Sequence, residues 1–511
     1  MAISDQLISI SNSKAAIKSA IEAKGQTVGT APLADYAGKI SAIVSGGAAP
    51  VEWVRPADWL TMPTVSATEN KIVMLVAVFD TTTNWVSFTC GISGSGNYTV
   101  DWGDGTSNTY INIALASHTY TYSNISASTA SSRGYRQAII TVTPVTGAFI
   151  TFYSSGTAKH PSNISTTGNV NPYLDIIVSA PSVGLVVQGS TSTIYGSATI
   201  CERVQILSAA SLAAFCFQNM KSLQKVTYPS TITATGSNLF AGCTMLQTVP
   251  SFTAAGSGSV VAASMFNGCS NLIAIPPITL APTSNYSLSS MFAGCSKLTS
   301  IDNLTITGSY KINDASSLFN GCYALTSVPA WDYSSSTTML ATFQNCYSLQ
   351  SIPDLNIPLA TTTSGLFSGC ISLRTAPAIT TTTALINVSS MFSGCTTLLK
   401  IPNFITSAAQ GWSTFASNCQ SLVDGGGLNI GASISATSMW SSCINLSKNP
   451  GYNYNITFSV ANCKLDAATL DALYTSLSAT GTGKTITVTG NPGTGTDSPS
   501  IATGKGWTVT G

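Results

Sequence analysis

The chain has 511 residues, of which 44% are apolar and only 8% charged, with 20 Lys and Arg against 19 Asp and Glu. Ordinary soluble domains carry roughly 25% charge, so most of this surface must be built from Ser, Thr, Asn and Gly. A net charge of +1 with no basic run gives no long-range pull on nucleic acid or anionic lipid, which argues against both as partners. No stretch reaches the roughly 20 apolar residues of a membrane helix.

Residues 1–45 have the spacing of two short helices. Ile10, Ile17 and Ile21 share one face beside Lys14, Lys18 and Glu22, Gly25 ends the run, and Tyr36, Ile40 and Ile43 repeat the pattern. A module this small cannot bury a core alone, so it is expected to dock on a partner or to oligomerise. The opening Met1-Ala-Ile-Ser-Asp-Gln has no basic flank leading into an apolar stretch and does not read as a secretory signal; a soluble chain made in a cytosol is expected. Residues 13–40 resemble a short module near the start of phage tail and fibre proteins. That resemblance implies a virion location, attachment to other virion proteins through residues 1–45, and a homo-oligomer, commonly a trimer.

Residues 46–50, Gly-Gly-Ala-Ala-Pro, read as a linker. From 51 to 153 the pattern becomes strands: 72–79, 85–90, 98–102, 118–122 and 138–143 are β-branched or aromatic runs between Gly, Ser and Asn turns, the mark of a β-sandwich. Within them, Tyr98-Thr-Val-Asp101-Trp102-Gly103-Asp104-Gly105-Thr106, followed by His118-Thr-Tyr120, resembles the signature of a PKD-type, immunoglobulin-like domain. The Gly-Asp-Gly supplies positive-φ positions and a carboxylate to close a hairpin turn. Asp101 and Asp104 could instead ligate calcium, although calcium usually wants more acidic ligands than these two.

Residues 154–215 lack the phrase that follows and read as the amino-terminal cap of a stack, with apolar strands at 174–178, 183–187 and 204–207. From 216 to 450 one phrase recurs, as in Ser290-Met-Phe292-Ala-Gly294-Cys295-Ser-Lys-Leu298-Thr-Ser-Ile301. Its cysteines fall at 243, 269, 295, 322, 346, 370, 395, 419 and 443, a period of 24–27 residues. A fixed period in the twenties predicts a solenoid with Phe, Cys, Leu and Ile inside. One repeat buries four such side chains, worth about 1.5–3 kcal/mol each, while ordering some 25 residues costs about 1.5 kcal/mol apiece, so stacking is compulsory. The phrase, with its following Leu-x-x-Ile/Val-Pro, resembles the BspA-like leucine-rich repeat of bacterial and protist surface proteins and phage fibres. Residues 451–511 read as the carboxyl-terminal cap, with helical spacing of Leu465, Leu470, Leu473 and Leu477 and strands at 485–489 and 507–510.

The expected fold is therefore mainly β: a helical module, a sandwich and a capped β-solenoid. The thirteen cysteines come singly, with no Cys-x-x-Cys and no nearby His, so they are expected to be buried free thiols rather than a disulfide framework or metal site. The two histidines, His118 in the hairpin phrase and His160 beside a proline, and the scattered acids form no acid–base pair, so neither an enzyme nor a cofactor is expected. Uncharged surface with scattered aromatics suits hydrogen bonding and stacking on glycans of a host surface, with a host surface protein as the other expected partner. Tyr286, Tyr310, Trp331, Tyr333 and Trp412, outside the Phe-x-x-Cys slots, are the candidate receptor contacts, with packing between coils as their alternative role; Trp440, in the Phe slot, should be buried. A cellular adhesin and a neck, baseplate or head part without a receptor are the competing readings.

Overall fold

The computed structural model describes residues 52–80, 84–153, 169–170, 172–180, 186–188 and 200–511, the last apart from 209–210, 213–215, 230–232, 235–236, 257–261, 382–383, 405 and 480–481. The helical module expected over 1–45, the linker 46–50 and His160 lie outside these residues. No helix among the described residues is long and apolar enough to cross a membrane.

The described residues open on a β-sandwich. Strands β1 (Lys71–Val78), β2 (Asn84–Ile92), β3 (Tyr98–Asp101), β4 (Ser107–Tyr110), β5 (Leu115–Tyr120), β6 (Arg136–Pro144) and β7 (Phe149–Tyr153) divide between two sheets, β4-β3-β6-β1 and β5-β2-β7. Met74, Phe88, Trp102, Ile140 and Phe152 meet between them. Strand β1 reads as an unbroken apolar run because it is buried on both faces. Ile72, Met74 and Val76 face the sandwich core, while Leu75 and Ala77 face a second cluster with Trp59, Tyr135 and Leu174.

The same two sheets then run on into the solenoid. Strands β8 (Asn169–Val170), β9 (Tyr173–Ser179), β10 (Val186–Gln188) and β11 (Arg203–Ser208) follow in the chain. Strand β9 pairs antiparallel with β1 and parallel with β11, and β10 pairs parallel with β7. Both sheets thus cross the boundary expected at 153/154, and the first coils of the stack extend them to seven and ten strands. Residues 52–62 are clasped across this junction. Arg55 and Arg203 both pair with the fully buried Asp175, Trp53 donates to Glu202 at 3.1 Å, and Arg133 pairs with Glu202.

Each later coil repeats one backbone design. Alternate amides of the turn donate to the next coil, as in Ser264 N to Ser289 O (2.8 Å), Phe266 N to Met291 O (2.9 Å) and Gly268 N to Ala293 O (2.7 Å). The residue before each Cys slot is left-handed, which explains the glycines at 242, 268, 294, 321, 369 and 394; Asn takes this place at 219, 345 and 418 and Ser at 442. A second left-handed residue lies four positions earlier, usually Ser, as at 264, 290, 317, 390 and 438. Inside, Phe217, Phe240, Phe266, Phe292, Phe319, Phe343, Phe367 and Phe392 form one stack with centroids 5.0–5.7 Å apart. Phe415 and Trp440 continue it edge-on, and Trp440 is fully buried with its Nε1 donating to Tyr454 Oη.

The carboxyl-terminal segment prolongs the stack as well as closing it. Phe458–Ser459, Thr485–Thr487 and Thr508–Thr510 make a parallel three-stranded sheet beside the helix Ala467–Ser476. Asp466 caps that helix by accepting from Thr469 N, and Leu465, Leu470, Leu473 and Leu477 are all buried.

Candidate interaction surface

The cysteines are accounted for by packing. All thirteen are buried and unpaired. From Cys243 to Cys419 each repeat thiol donates to the carbonyl of a Phe in the preceding coil, and Cys443 donates to Ala416 O, all at 3.0–3.2 Å. Burial pushes the thiols far up, to about 12 at Cys269, so none is a thiolate at neutral pH. Among the described residues no group of three or more His, Cys, Asp and Glu could hold a metal.

The turn over residues 101–106 uses both of its carboxylates internally. Asp101 Oδ1 accepts from Gly103 N, while Asp104 Oδ1 accepts from Thr106 N and Oγ1 and Asp104 Oδ2 lies 2.7 Å from His118 Nε2. Burial raises the Asp104 carboxyl's pKa, but the hydrogen bonds from Thr106 and His118 outweigh it and hold the group below the usual carboxylate range. His118 stacks on Trp102 at 4.9 Å, so this phrase ties the hairpin to the core.

Three of the five aromatic candidates are interior. Tyr286 is 2% exposed, Tyr333 3% and Trp412 0%, so none offers a face to a ligand. Tyr286 lies on a strand paired with Ile312, and Trp412 Nε1 donates to Ala409 O inside the coil. Tyr333 follows Trp331 by two residues, as Ile306 follows Leu304 and Ile357 follows Leu355, so it fills the Ile slot of its own coil. These residues departed from the phrase in type but kept its interior periodicity. Trp331 is half-buried, standing where Leu304 and Leu355 stand and stacking on Phe319 at 5.9 Å. Tyr310 is exposed on the loop before Lys311, whose ammonium pairs with Asp332 at 3.1 Å.

The structure adds a surface that the candidate residues missed. The residue after each Cys turns outward, and on three successive coils it is Tyr323, Tyr347 and Ile371, 39–45% exposed. The tyrosine rings are parallel within 4° and 4.7 Å apart. Their backbone is fixed, since Ser348 N donates to Tyr323 O, Tyr347 N to Asn345 O and Ile371 N to Gly369 O. The row therefore presents rigid apolar and hydroxyl groups in register along the solenoid axis, with no charge of its own. A signal for it was present in the sequence: the position after Cys reads Thr, Ser, Ser, Tyr, Tyr, Ile, Thr, Gln, Ile, the variable place in an otherwise strict phrase.

Residues 197–326 match the family model of the BspA type leucine rich repeat region, in six copies. The solenoid carries leucine-rich repeats. Residues 286–420 also match a model described as a Mycoplasma protein of unknown function. Among solved structures the leucine-rich-repeat chain is similar to a leucine-rich repeat protein from Eubacterium ventriosum, with 15% identity, a TM-score of 0.31, and coverage of 58% of this chain and 85% of that one. It is also similar to the TLR13–ssRNA13 complex, with 15% identity, a TM-score of 0.22, and coverage of 62% and 47%. A third likeness is to the ectodomain of GASSHO1/SCHENGEN3 from Arabidopsis thaliana in complex with CASPARIAN STRIP INTEGRITY FACTOR 2, with 10% identity, a TM-score of 0.19, and coverage of 63% and 44%. The chain thus spans less than half the length of those last two. No curated protein matches it.

Proposed function

We propose that this protein is a non-enzymatic recognition scaffold whose leucine-rich-repeat solenoid binds a neutral surface component of a target cell, a glycan first of all, along the Tyr323–Tyr347–Ile371 row. One observation carries the reading: two exposed tyrosines stacked in register on a nearly uncharged solenoid. Tyrosine offers contact area and a hydroxyl at low entropic cost, and binding to sugars needs no net charge. The double variant Tyr323→Ala/Tyr347→Ala should lower adsorption to target cells, or signal on a glycan array, by at least tenfold. Because both side chains are exposed, its folding should change little; adsorption equal to wild type would refute the assignment.

The setting we favour is a virion fibre or appendage of the phage tail type, mounted through residues 1–45 as a homo-oligomer, with the sandwich as a PKD-like spacer. Its support is the resemblance of residues 13–40 to phage fibre modules. A cellular leucine-rich-repeat adhesin is the second reading, favoured by the BspA type match over residues 197–326. Immunogold labelling of source particles and cells separates the two. Labelled particles whose adsorption purified protein fails to block would point instead to a neck, baseplate or head part.

A further inference from the structure

The Tyr323–Tyr347–Ile371 row has a period as well as a chemistry, and the period restricts what lies on it. The two tyrosine rings are 4.7 Å apart and parallel within 4°, the ordinary spacing of neighbouring strands in a sheet. Each ring covers a face of the other, so the row turns ring edges and hydroxyls outward rather than a flat stacking platform. It ends after three coils. On the coil before Tyr323, Ser296 Oγ donates to Ser270 O at 3.1 Å, and on the coil after Ile371, Thr396 Oγ1 donates to Ile371 O at 3.5 Å, so both hydroxyls are bonded back onto the preceding coil.

A second row runs beside the first, three residues further along each coil. Thr326, Gln350 and Arg374 form it, with Gln350 N donating to Thr326 O at 3.4 Å and the side chains of Gln350 and Arg374 exposed. The strip is therefore two-sided along its length. Ring edges, hydroxyls and an aliphatic group lie on one side, and hydroxyl, amide and guanidinium donors on the other.

Period separates the polymers that could follow such a strip. A peptide strand shows the same face every two residues, about 6.7 Å, and loses step within one coil. A polyproline II helix returns every three residues, about 9.3 Å, and meets alternate coils only. An α-helix rises about 5.4 Å per turn but is about 10–12 Å across, too broad for a row one residue wide. A nucleic-acid strand spaces its phosphates about 3.4 Å along the axis and brings charge that the row does not answer. An extended, equatorially 1,4-linked pyranose chain advances by close to one coil per sugar. Its axial C–H groups cover both faces of each ring, so the half-turn between successive sugars leaves the same kind of surface on Tyr323, Tyr347 and Ile371. Its equatorial hydroxyls then reach the Thr326–Gln350–Arg374 side.

We infer, on the reading that this row is the recognition surface, that its ligand is a linear, neutral, β-1,4-linked glycan lying along the solenoid axis, one sugar to a coil over three coils. Isothermal titration of the full chain with β-1,4-linked oligomers of glucose, mannose and N-acetylglucosamine, one to six sugars long, provides the test. For at least one series Kd should fall at least tenfold from one sugar to three and level off beyond, since further sugars meet no residue of the row. Oligomers of α-1,6-linked glucose should bind no better than glucose itself. Tyr347→Ala, at the middle of the row, should return the trisaccharide to within severalfold of the monosaccharide, with circular dichroism unchanged because the side chain is exposed. Binding of no series, or affinity independent of length and linkage, overturns the linear axial ligand. If the Tyr323→Ala/Tyr347→Ala variant nevertheless loses adsorption to target cells, the row stands as the recognition surface and only the linear ligand falls; adsorption at the wild-type level removes both. Capture of a proline-rich peptide that is indifferent to Tyr347→Ala would reassign the row to a polyproline II partner.

Discussion

At the scale of single residues, the repeat is decided by what each backbone position tolerates. Gly294 and Ser290 both adopt left-handed conformations, with φ of 75° and 55°. A Cβ at Gly294 would also lie 3.4 Å from Gly268 Cα in the coil below. Gly294→Ala should therefore cost about 1–2 kcal/mol, whereas Ser290→Gly should be nearly neutral, because relief of about 1 kcal/mol of strain is offset by the flexibility glycine adds to the unfolded chain. Denaturant titration of both variants checks the pair; equal losses would show that the two sites differ less than their geometry says. The Cys slot follows the same logic, a small apolar residue with a donor that reaches the Phe carbonyl of the preceding coil. Cys295→Ala loses both volume and the bond to Phe266 O and should cost about 1–3 kcal/mol. Native protein should resist thiol alkylation at neutral pH and react only once unfolded. These interior positions are legible because they recur; the outward row at Tyr323 is not, because it occupies the position at which the phrase varies.

At the scale of elements, legibility followed burial only in part, since β7 (Phe149–Tyr153) is a buried apolar strand that the expected set left out. Strands β1, β2, β3, β5 and β6 were readable from apolar runs, but β4 is Ser-Asn-Thr-Tyr on an exposed sheet edge and carries no hydrophobic period at all. The clasp over residues 52–62 was equally silent, since its partners across the junction lie 73 to 173 residues away in the chain. Asp58 is part of it, accepting from Ser131 Oγ, Ser132 N and Ser132 Oγ at 2.7–2.8 Å. The side-chain bonds from Ser132 and Ser131 lead in pulling its pKa from an ordinary 3.8 down to about 2. A carboxyl depressed in the folded state contributes stability that is fully present above its unfolded pKa and lost as pH falls through its folded one. Thermal midpoints should thus fall between pH 4 and pH 2, with Asp58→Asn lower at neutral pH and flatter across that window; a wild-type slope unchanged by the substitution would remove Asp58 as its source. The coil of Cys322 is a second local feature. Among the described residues no backbone ladder joins 328–333 to either neighbouring coil, where Trp331 stands in a Leu slot. Amide exchange there should be the fastest of the interior coils.

At the scale of the whole molecule, the expected chain of separate units gives way to one hydrogen-bonded body over the described residues. A sandwich followed by a solenoid predicts two folding units, but β9 supplies an edge to β1 and is at the same time the first rung of the stack, and β10 does the same for β7. Pairing between strands so far apart in sequence leaves no trace in local composition, which is why the junction was not legible. The energetic consequence is definite. Without β9 the central strand β1 has an unpaired edge, and Leu75 and Ala77 lose Leu174 from the cluster that covers them. Asp175, buried between Arg55 and Arg203, is the ionic counterpart of that dependence. Removing one member of such a buried set costs about 3–5 kcal/mol, an appreciable part of the roughly 5–15 kcal/mol that holds a typical protein together. A fragment of residues 51–153 should therefore be poorly folded by circular dichroism, while residues 51–511 should melt with sandwich and early coils together. In the full chain, Asp175→Asn should lower the melting of both regions as one, read by the fluorescence of Trp102 in the sandwich and by amide exchange across 203–227 in the first coils. A fragment of 51–153 that folds independently, or an Asp175→Asn variant in which only one region shifts, would separate the two units again and leave the shared sheets as mere contact.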